Sequence, residues 1–168
     1  MNKAPQKVTA EVLKEVNLFQ AFNNEELNKM VSIGTVKTVE PFTNIVIEGE
    51  MSWGIYCILE GSVEVLKSNK LTGSTHDVAH LGPGSFFGEI SLIDDCPRSS
   101  TVRATEKSDF FYISKDAFQK FISASADLKL RFYGICISNL IRRLRELDDD
   151  HVISQYQLWK SALKKEAA

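Results

Sequence analysis

The sequence predicts a mainly β domain with flanking helices, an antiparallel sandwich or barrel of the jelly-roll kind, and three observations carry that prediction. From Thr35 to Ile113 the chain is a succession of short β-branched and aromatic runs, TVKTV, NIVI, GIYCILE, SVEVLK, DVAHL, STVRA and FFYI, which read as seven or eight strands. Gly49, Gly54, Gly61, Gly82, Gly84 and Gly88 fall at or near the breaks, and no helical segment separates these runs as a parallel α/β sheet would require. On both sides of this region the apolar spacing returns to that of helices.

In chain order, residues 1–34 form an N-terminal helical segment. Val8, Val12 and Val16, then Leu27, Met30 and Val31, recur at helical spacing on either side of Asn23 and Asn24, which predicts two short helices. Asn24 is placed as the N-cap of the second, with Glu25 and Glu26 complementing the positive helix end, and Gly34 closes it. Residues 35–114 form the β region. Residues 115–168 are the C-terminal helices: Ala117, Phe118, Phe121 and Ile122 share one stripe, and a long segment from Asp127 to Leu147 follows. Asp148, Asp149 and Asp150 are expected to break that helix and cap the next. Val152, Tyr156, Trp159 and Leu163 then make a second apolar stripe. With no internal repeat and no Pro-rich linker, one domain is expected.

Composition bounds the function. A chain of 168 residues buries about 70% of its unfolded surface without staples, and 43% hydrophobic with 25% charged residues is ordinary for a globular domain. A formal net charge of -2 with no basic stripe implies no general attraction for nucleic acid. Cys57, Cys96 and Cys136 are odd in number and lack a CxxC, which argues against a disulfide framework or a zinc knuckle. No signal peptide and no run of 18 apolar residues is found, so a cytoplasmic protein that does not enter a membrane is expected. His76 and His80 fall on a strand where a four-residue spacing does not suit a metal pair, and the Asp148 run lacks the spacing and glycine of a calcium loop. His151 is read as solvated. No metal is predicted. No Ser, His and Asp ordering marks a nucleophile, and Cys57 and Cys136 sit in apolar runs as small hydrophobes, so no catalytic residue and no enzyme is expected.

The stretch from Gly82 to Ala104, GPGSFFGEISLIDDCPRSSTVRA, carries the chemistry. Gly84 and Gly88 allow the backbone to bend around a small anion, and a helical turn beginning near Glu89 points free N–H groups at it. Arg98, nine residues on, offers a planar fork to two phosphate oxygens, and the anion supplies the counter-charge that a buried guanidinium needs. Glu89 would accept a hydrogen bond from a sugar hydroxyl.

This stretch resembles the phosphate-binding cassette of the cyclic-nucleotide-binding domain family, in which Phe-Gly-Glu, an aliphatic residue, a small residue and Leu precede Arg, two small residues and Val. The matching residues are Phe87-Gly88-Glu89-Ile90-Ser91-Leu92 and Arg98-Ser99-Ser100-Thr101-Val102, with flanking phrases at Glu48-Gly49-Glu50, at 56–65 and at 81–86. The resemblance covers roughly residues 15 to 150. It implies an antiparallel β-roll of the catabolite-activator and protein-kinase-A regulatory type, a double-stranded β-helix with the cassette at about 86–102 and C-terminal lid or dimerisation helices. It also implies that Glu89 takes the ribose 2′-hydroxyl and Arg98 the cyclic phosphate. The amides around Ile90, Ser91 and Ser99, with Gly88, complete the phosphate cradle. Val65 and Val78 line base and sugar, and Leu147 and Asp148 approach the purine. Ser100 departs from the family's usual Ala, and a hydroxyl there either joins the phosphate network or faces solvent. The implied ligand is a 3′,5′-cyclic nucleotide, with cAMP placed slightly ahead of cGMP; Ser99 is compatible with both. About twenty residues follow the last matched helix, fewer than a DNA-binding helix-turn-helix needs.

The expected function is therefore a regulatory sensor whose C-terminal helices move on ligand capture and meet a second copy or an effector. A switch from mostly open to mostly closed requires the closed form to bind ligand up to ~10⁴-fold more tightly. Two alternatives stand beside it: a β-roll that no longer binds ligand and serves as a docking scaffold, against which Glu89 and Arg98 argue, and a cupin-like metalloenzyme, against which the histidine spacing argues.

Overall fold

Capping chemistry sets the N-terminal helices. The structure, a computed structural model, describes residues 8–51, 53–93 and 96–166, and the side chains of all of these except 91, 150, 151, 158 and 161–166. Thr9 accepts a hydrogen bond from the Val12 amide and starts α1 (Ala10–Lys14), and a 3₁₀ turn, Asn17–Phe19, follows with Leu18 and Phe19 buried. In α2 (Asn24–Ile33) the N-cap is Asn23, not Asn24. Asn23 Oδ1 accepts from the Glu26 amide at 2.9 Å while a Glu26 carboxylate oxygen accepts from the Asn23 amide at 2.8 Å, a reciprocal capping box that needs the Glu three residues on. Gly34 does stand at the helix end, but its backbone is extended. The need for glycine there is steric, since a Cβ would lie 2.1 Å from the Phe111 ring.

Among the described residues eight strands follow: β1 (Thr35–Val39), β2 (Asn44–Val46), β3 (Gly54–Glu60), β4 (Val63–Ser68), β5 (Thr75–Leu81), β6 (Phe86–Phe87), β7 (Thr101–Ala104) and β8 (Ser108–Ser114). They form two four-stranded antiparallel sheets, ordered β1-β8-β3-β6 and β2-β7-β4-β5. One core cluster draws on both: Ile58, Phe87 and Phe110 from the first sheet meet Val46, Val63 and Val102 from the second. β8 buries both of its faces, Phe110 on one and Phe111 and Ile113 on the other, since successive side chains of a strand point to opposite sides. In the β4–β5 hairpin the register slips between Val65 and Leu66: Val65 is opposite Ala79 and Leu66 opposite Asp77, which leaves Val78 as the extra residue of a bulge.

Within the β region, the short α3 (Ile90–Ile93) is the helical turn expected after Glu89. Ser114 caps α4 (Lys115–Ile122) by accepting from the Ala117 amide, and Phe118 and Ile122 are buried from it. The last helix, α5 (Ala126–Glu166), is continuous for 41 residues and runs through Asp148, Asp149 and Asp150, contrary to the predicted break. Aspartate in a helix interior costs only about 0.7 kcal/mol relative to alanine, far less than proline, and Leu, Arg and Glu residues on the N-terminal side favour propagation. The chain divides into two units, Met1–Phe132 and Tyr133–Ala168. In the first, Phe132 stacks edge-on against Phe118 at 4.8 Å, and Arg131 pairs with Glu26 at 2.5 Å and with Asp127 at 2.8 Å. In the second, the helix carries Ile137, Ile141, Leu144, Leu147, Val152, Tyr156 and Trp159 with 47–67% of their surface exposed. Among the described residues no helix is long and apolar enough to cross a membrane.

Candidate functional site

The site is built where β6 ends. Phe87 and Phe86 pair with Tyr56 and Cys57 of β3, and the Phe87 ring stacks on Tyr56 at 5.1 Å, which fixes the strand just before the chain must turn. Gly88 makes the turn with φ +94, a region that side chains with a Cβ avoid. It is also crowded: a Cβ there would lie 2.2 Å from Arg98 Nη1 and 2.8 Å from the Gly54 carbonyl oxygen. Glycine at 88 therefore serves both the backbone and the approach of the guanidinium.

Arg98 is held at its backbone from both sides. Its amide donates to the Glu50 carbonyl at 2.8 Å, and its carbonyl accepts from the Gly49 amide at 2.9 Å. The side chain is buried, with 6% of the residue exposed, and Nη2 donates to the Gly54 carbonyl at 2.7 Å. Nη1, equally buried, has no hydrogen-bond partner among the described residues. Burial lowers the guanidinium pKa, an effect opposed by the nearby Tyr56, Glu89 and Tyr112. Arginine nonetheless stays charged in proteins, so a cation with an unspent donor sits in a poorly solvated place.

Glu89 lies beside it, 1% exposed. Its charge adds to burial in pushing the Cys57 thiol well above the usual range, which makes Cys57 inert packing as its apolar run suggests. Ile90 is half-buried in α3. Ser91 is in the same turn, and its side chain falls outside those described. Ser99 is exposed and Ser100 half-buried. The Ser99 carbonyl accepts from Lys67 Nζ, which also pairs with Glu48 Oε1 at 2.7 Å. The other Glu48 oxygen accepts from the Ser68 amide at 3.0 Å, and the Glu48 amide donates to Thr101 Oγ1 at 3.0 Å. The Lys67 ammonium and the Ser68 amide hold the Glu48 carboxyl at about 2.

Gly88 and Arg98 are thus brought into contact, with the charge of Glu89 acting on Arg98. Val65 is part-buried, paired with Val102 of β7 and packed against the shared core. Val78, in the bulge, is 50% exposed. Leu147, 60% exposed, and Asp148 lie on α5 within the second unit. His76 Nε2 meets Ser74 Oγ at 3.0 Å, and His80 pairs with Asp77 at 2.6 Å on the exposed β5. The Gly54 carbonyl and Lys67 escaped the sequence reading, and Glu48 entered it only within a flanking phrase. They meet the cassette across 44, 32 and 53 residues respectively.

Comparisons with known proteins agree on this segment. Residues 36–125 match the family model described as the cyclic nucleotide-binding domain. A cAMP-dependent protein kinase regulatory subunit from Yarrowia lipolytica is 36% identical over 115 residues, 68% of this chain and 30% of the relative. A crystal structure of a cyclic nucleotide-binding domain from Methylobacillus flagellatus is similar with a TM-score of 0.70 at 28% identity, covering 82% of this chain and 76% of that one. The regulatory domain of Toxoplasma gondii protein kinase A, crystallised with cAMP, is similar with a TM-score of 0.62 at 26% identity, over 67% of this chain and 42% of that one. The chain spans less than a third of the length of the curated relatives it matches first.

Proposed function

Because the chain belongs to the cyclic nucleotide-binding domain family, we propose that it is a cytoplasmic, non-enzymatic sensor that captures a 3′,5′-cyclic nucleotide, cAMP ahead of cGMP, in the cassette at 86–102. The observation that carries this reading is Arg98: a buried guanidinium with one donor nitrogen unspent. An isolated buried cation is costly, and a doubly coordinated phosphate oxygen pair is the partner its planar fork fits best. The cyclic phosphate takes Nη1, and the amides around Ile90, Ser91 and Ser99 converge on the same anion at the start of α3, with Gly88 providing room. Glu89, acceptor-only when ionised, takes the ribose 2′-hydroxyl, and Ser100 stands beside the phosphate. Val65 and Val78 form the wall for base and sugar.

Residues 1–34, 35–114 and 115–168 act as one module in this reading. Leu147 and Asp148 close over the purine when the C-terminal helices move, and those helices meet a second copy or an effector protein. The regulatory subunits among the relatives support a signalling role. No nucleic-acid or membrane partner is proposed.

Calorimetric titration with cAMP and with cGMP tests this, on protein unfolded and refolded to strip carried-over ligand. Micromolar or tighter binding is expected. Arg98→Ala should weaken it by about 2–5 kcal/mol, roughly thirty-fold to several thousand-fold, because one partner of a buried charge pair is removed. Binding of neither nucleotide, or an Arg98→Ala protein that binds as the parent does, would falsify the assignment.

A further inference from the structure

Two successive carbonyls of the cassette are drawn to one side of the chain. The Arg98 carbonyl accepts from the Gly49 amide at 2.9 Å, and the next carbonyl, that of Ser99, accepts from Lys67 Nζ. Glu48 joins these two donors, since it precedes Gly49 in the chain and its carboxylate meets Lys67 Nζ at 2.7 Å. Both carbonyls therefore face one flank of the segment. A peptide unit is planar and trans, so the N–H that shares a plane with each carbonyl points the other way. The amides of Ser99 and Ser100 consequently face the opposite flank together. The chain bends at both residues and enters β7 only at Thr101. Among the described residues neither amide has a hydrogen-bond partner. Successive unspent amides on one side of a bent backbone make a concave anion site.

We infer that the Ser100 amide is a phosphate donor beside that of Ser99, and that Lys67 is the positioning residue that aims it. The identity of the anion rests on the cyclic-nucleotide reading, whereas the role of Lys67 rests on geometry alone. The peptide between Arg98 and Ser99 is held by backbone, through Gly49. The peptide between Ser99 and Ser100 is held by a side chain, through Lys67. Lys67 lies two residues beyond Val65 on β4 and on the same face, so it reaches the cassette from the wall proposed for base and sugar. Glu48 anchors it: one carboxylate oxygen takes Lys67 Nζ and the other takes the Ser68 amide at 3.0 Å, which ties the ammonium to its own strand. Once Lys67 lets go, the Ser99–Ser100 peptide is free to turn over. The Ser100 N–H then leaves the concavity while the Ser99 amide, set by Gly49, stays. The loss falls on the phosphate oxygen that faces Ser100, and the sugar contact at Glu89 is untouched.

The test compares the whole chain with Lys67→Met, which keeps the apolar stem and removes the donors, and with Lys67→Arg, which keeps a cationic donor. Without nucleotide, serine-selective amide NMR spectra should show the Ser100 signal shifted or split in Lys67→Met and close to the parent in Lys67→Arg. With ligand, calorimetry should show cAMP bound about tenfold more weakly by Lys67→Met, the worth of one bond to a charged oxygen, and within about threefold of the parent by Lys67→Arg. The two phosphorothioate diastereomers of cAMP, in which sulfur replaces one or the other exocyclic oxygen, locate the loss. The ratio of their dissociation constants should change by about threefold or more in Lys67→Met, whereas removing the ribose 2′-hydroxyl should cost the same in parent and variant. An unchanged Ser100 signal, or an unchanged diastereomer ratio, overturns the inference and leaves Lys67 a brace for stability. Should the parent bind neither nucleotide, the sensor reading falls by itself, and the Ser100 signal still decides whether Lys67 sets this peptide.

Discussion

Gly88→Ala is the substitution whose effect the structure specifies most closely. The new Cβ would sit 2.2 Å from Arg98 Nη1 and 2.8 Å from the Gly54 carbonyl oxygen, on a backbone with φ +94. Two costs combine. The left-handed backbone costs an alanine about 1–2 kcal/mol, and inserting a methyl into a filled space costs about 1–3 kcal/mol more. Gly54 O is fixed in the β3–β8 ladder, whereas the guanidinium is the end of a flexible chain, so the guanidinium yields. It then loses the 2.7 Å bond to Gly54 O and the position from which Nη1 meets the phosphate. Stability should fall by about 2–5 kcal/mol in urea unfolding. Calorimetric affinity for cAMP should fall at least tenfold in protein that is still folded. The double variant Gly88→Ala with Arg98→Ala isolates the clash: with the guanidinium gone, the added stability cost of Gly88→Ala should shrink by roughly 1–3 kcal/mol. Were the cost identical in both backgrounds, or cAMP bound by Gly88→Ala as tightly as by the parent, the proposed contact between Gly88 and Arg98 would play no part in ligand capture.

Three other outcomes follow from the same geometry. Removing the 2′-hydroxyl from the nucleotide should weaken binding by about 1.5–3 kcal/mol in the parent and by little in Glu89→Ala, and equal losses in both would place the sugar elsewhere. Glu48, held at about 2 when folded, contributes stability that is present above the ordinary carboxylate range and is lost as pH falls from about 4.3 through 2. Glu48→Gln should accordingly flatten the fall in unfolding free energy over that window, and a slope unchanged from the parent would show that Lys67 and Ser68 do not hold this carboxylate in solution. Asn23→Ala breaks one half of the capping box and should cost about 1 kcal/mol at the thermal or urea midpoint, with cAMP affinity unchanged; a stability equal to the parent's would mean that the cap is idle.

What sequence reasoning reached, and what it missed, divides along a physical line. The strands were legible because β-branched alternation and glycine breaks are local signals, and the turn after Glu89 was legible because Gly88 and the residues that follow it are contiguous. The two-residue strand β6 was not, since Phe86 and Phe87 pair with β3 through partners about thirty residues away. The preference for asparagine at an N-cap does not distinguish Asn23 from Asn24, whereas the reciprocal bond to Glu26 does. The run of three aspartates looked like punctuation, and a 41-residue helix passes through it because aspartate lowers helix propensity without forbidding it. At the site, Glu89 and Arg98 could be named from their motif. The groups that hold the cassette in place, the Gly54 carbonyl and the Lys67 ammonium, carry no motif and come into view only when distant strands are laid beside one another.

The ends of the two sheets bear on how this protein behaves at high concentration. Each sheet must stop somewhere, and a strand at its margin offers unpaired amides and carbonyls that another chain can extend. Three of the four marginal strands are short: β1 has five residues, β2 three and β6 two. The fourth, β5, is seven residues long and the one most able to act as a template. Its pairing with β4 slips at Val78, and the side chains of Asp77 and His80 meet along it at 2.6 Å. An incoming strand therefore meets an irregular, charged margin that it cannot follow for more than a few residues, and resistance to fibril-like stacking is built into the same hairpin that carries Val65.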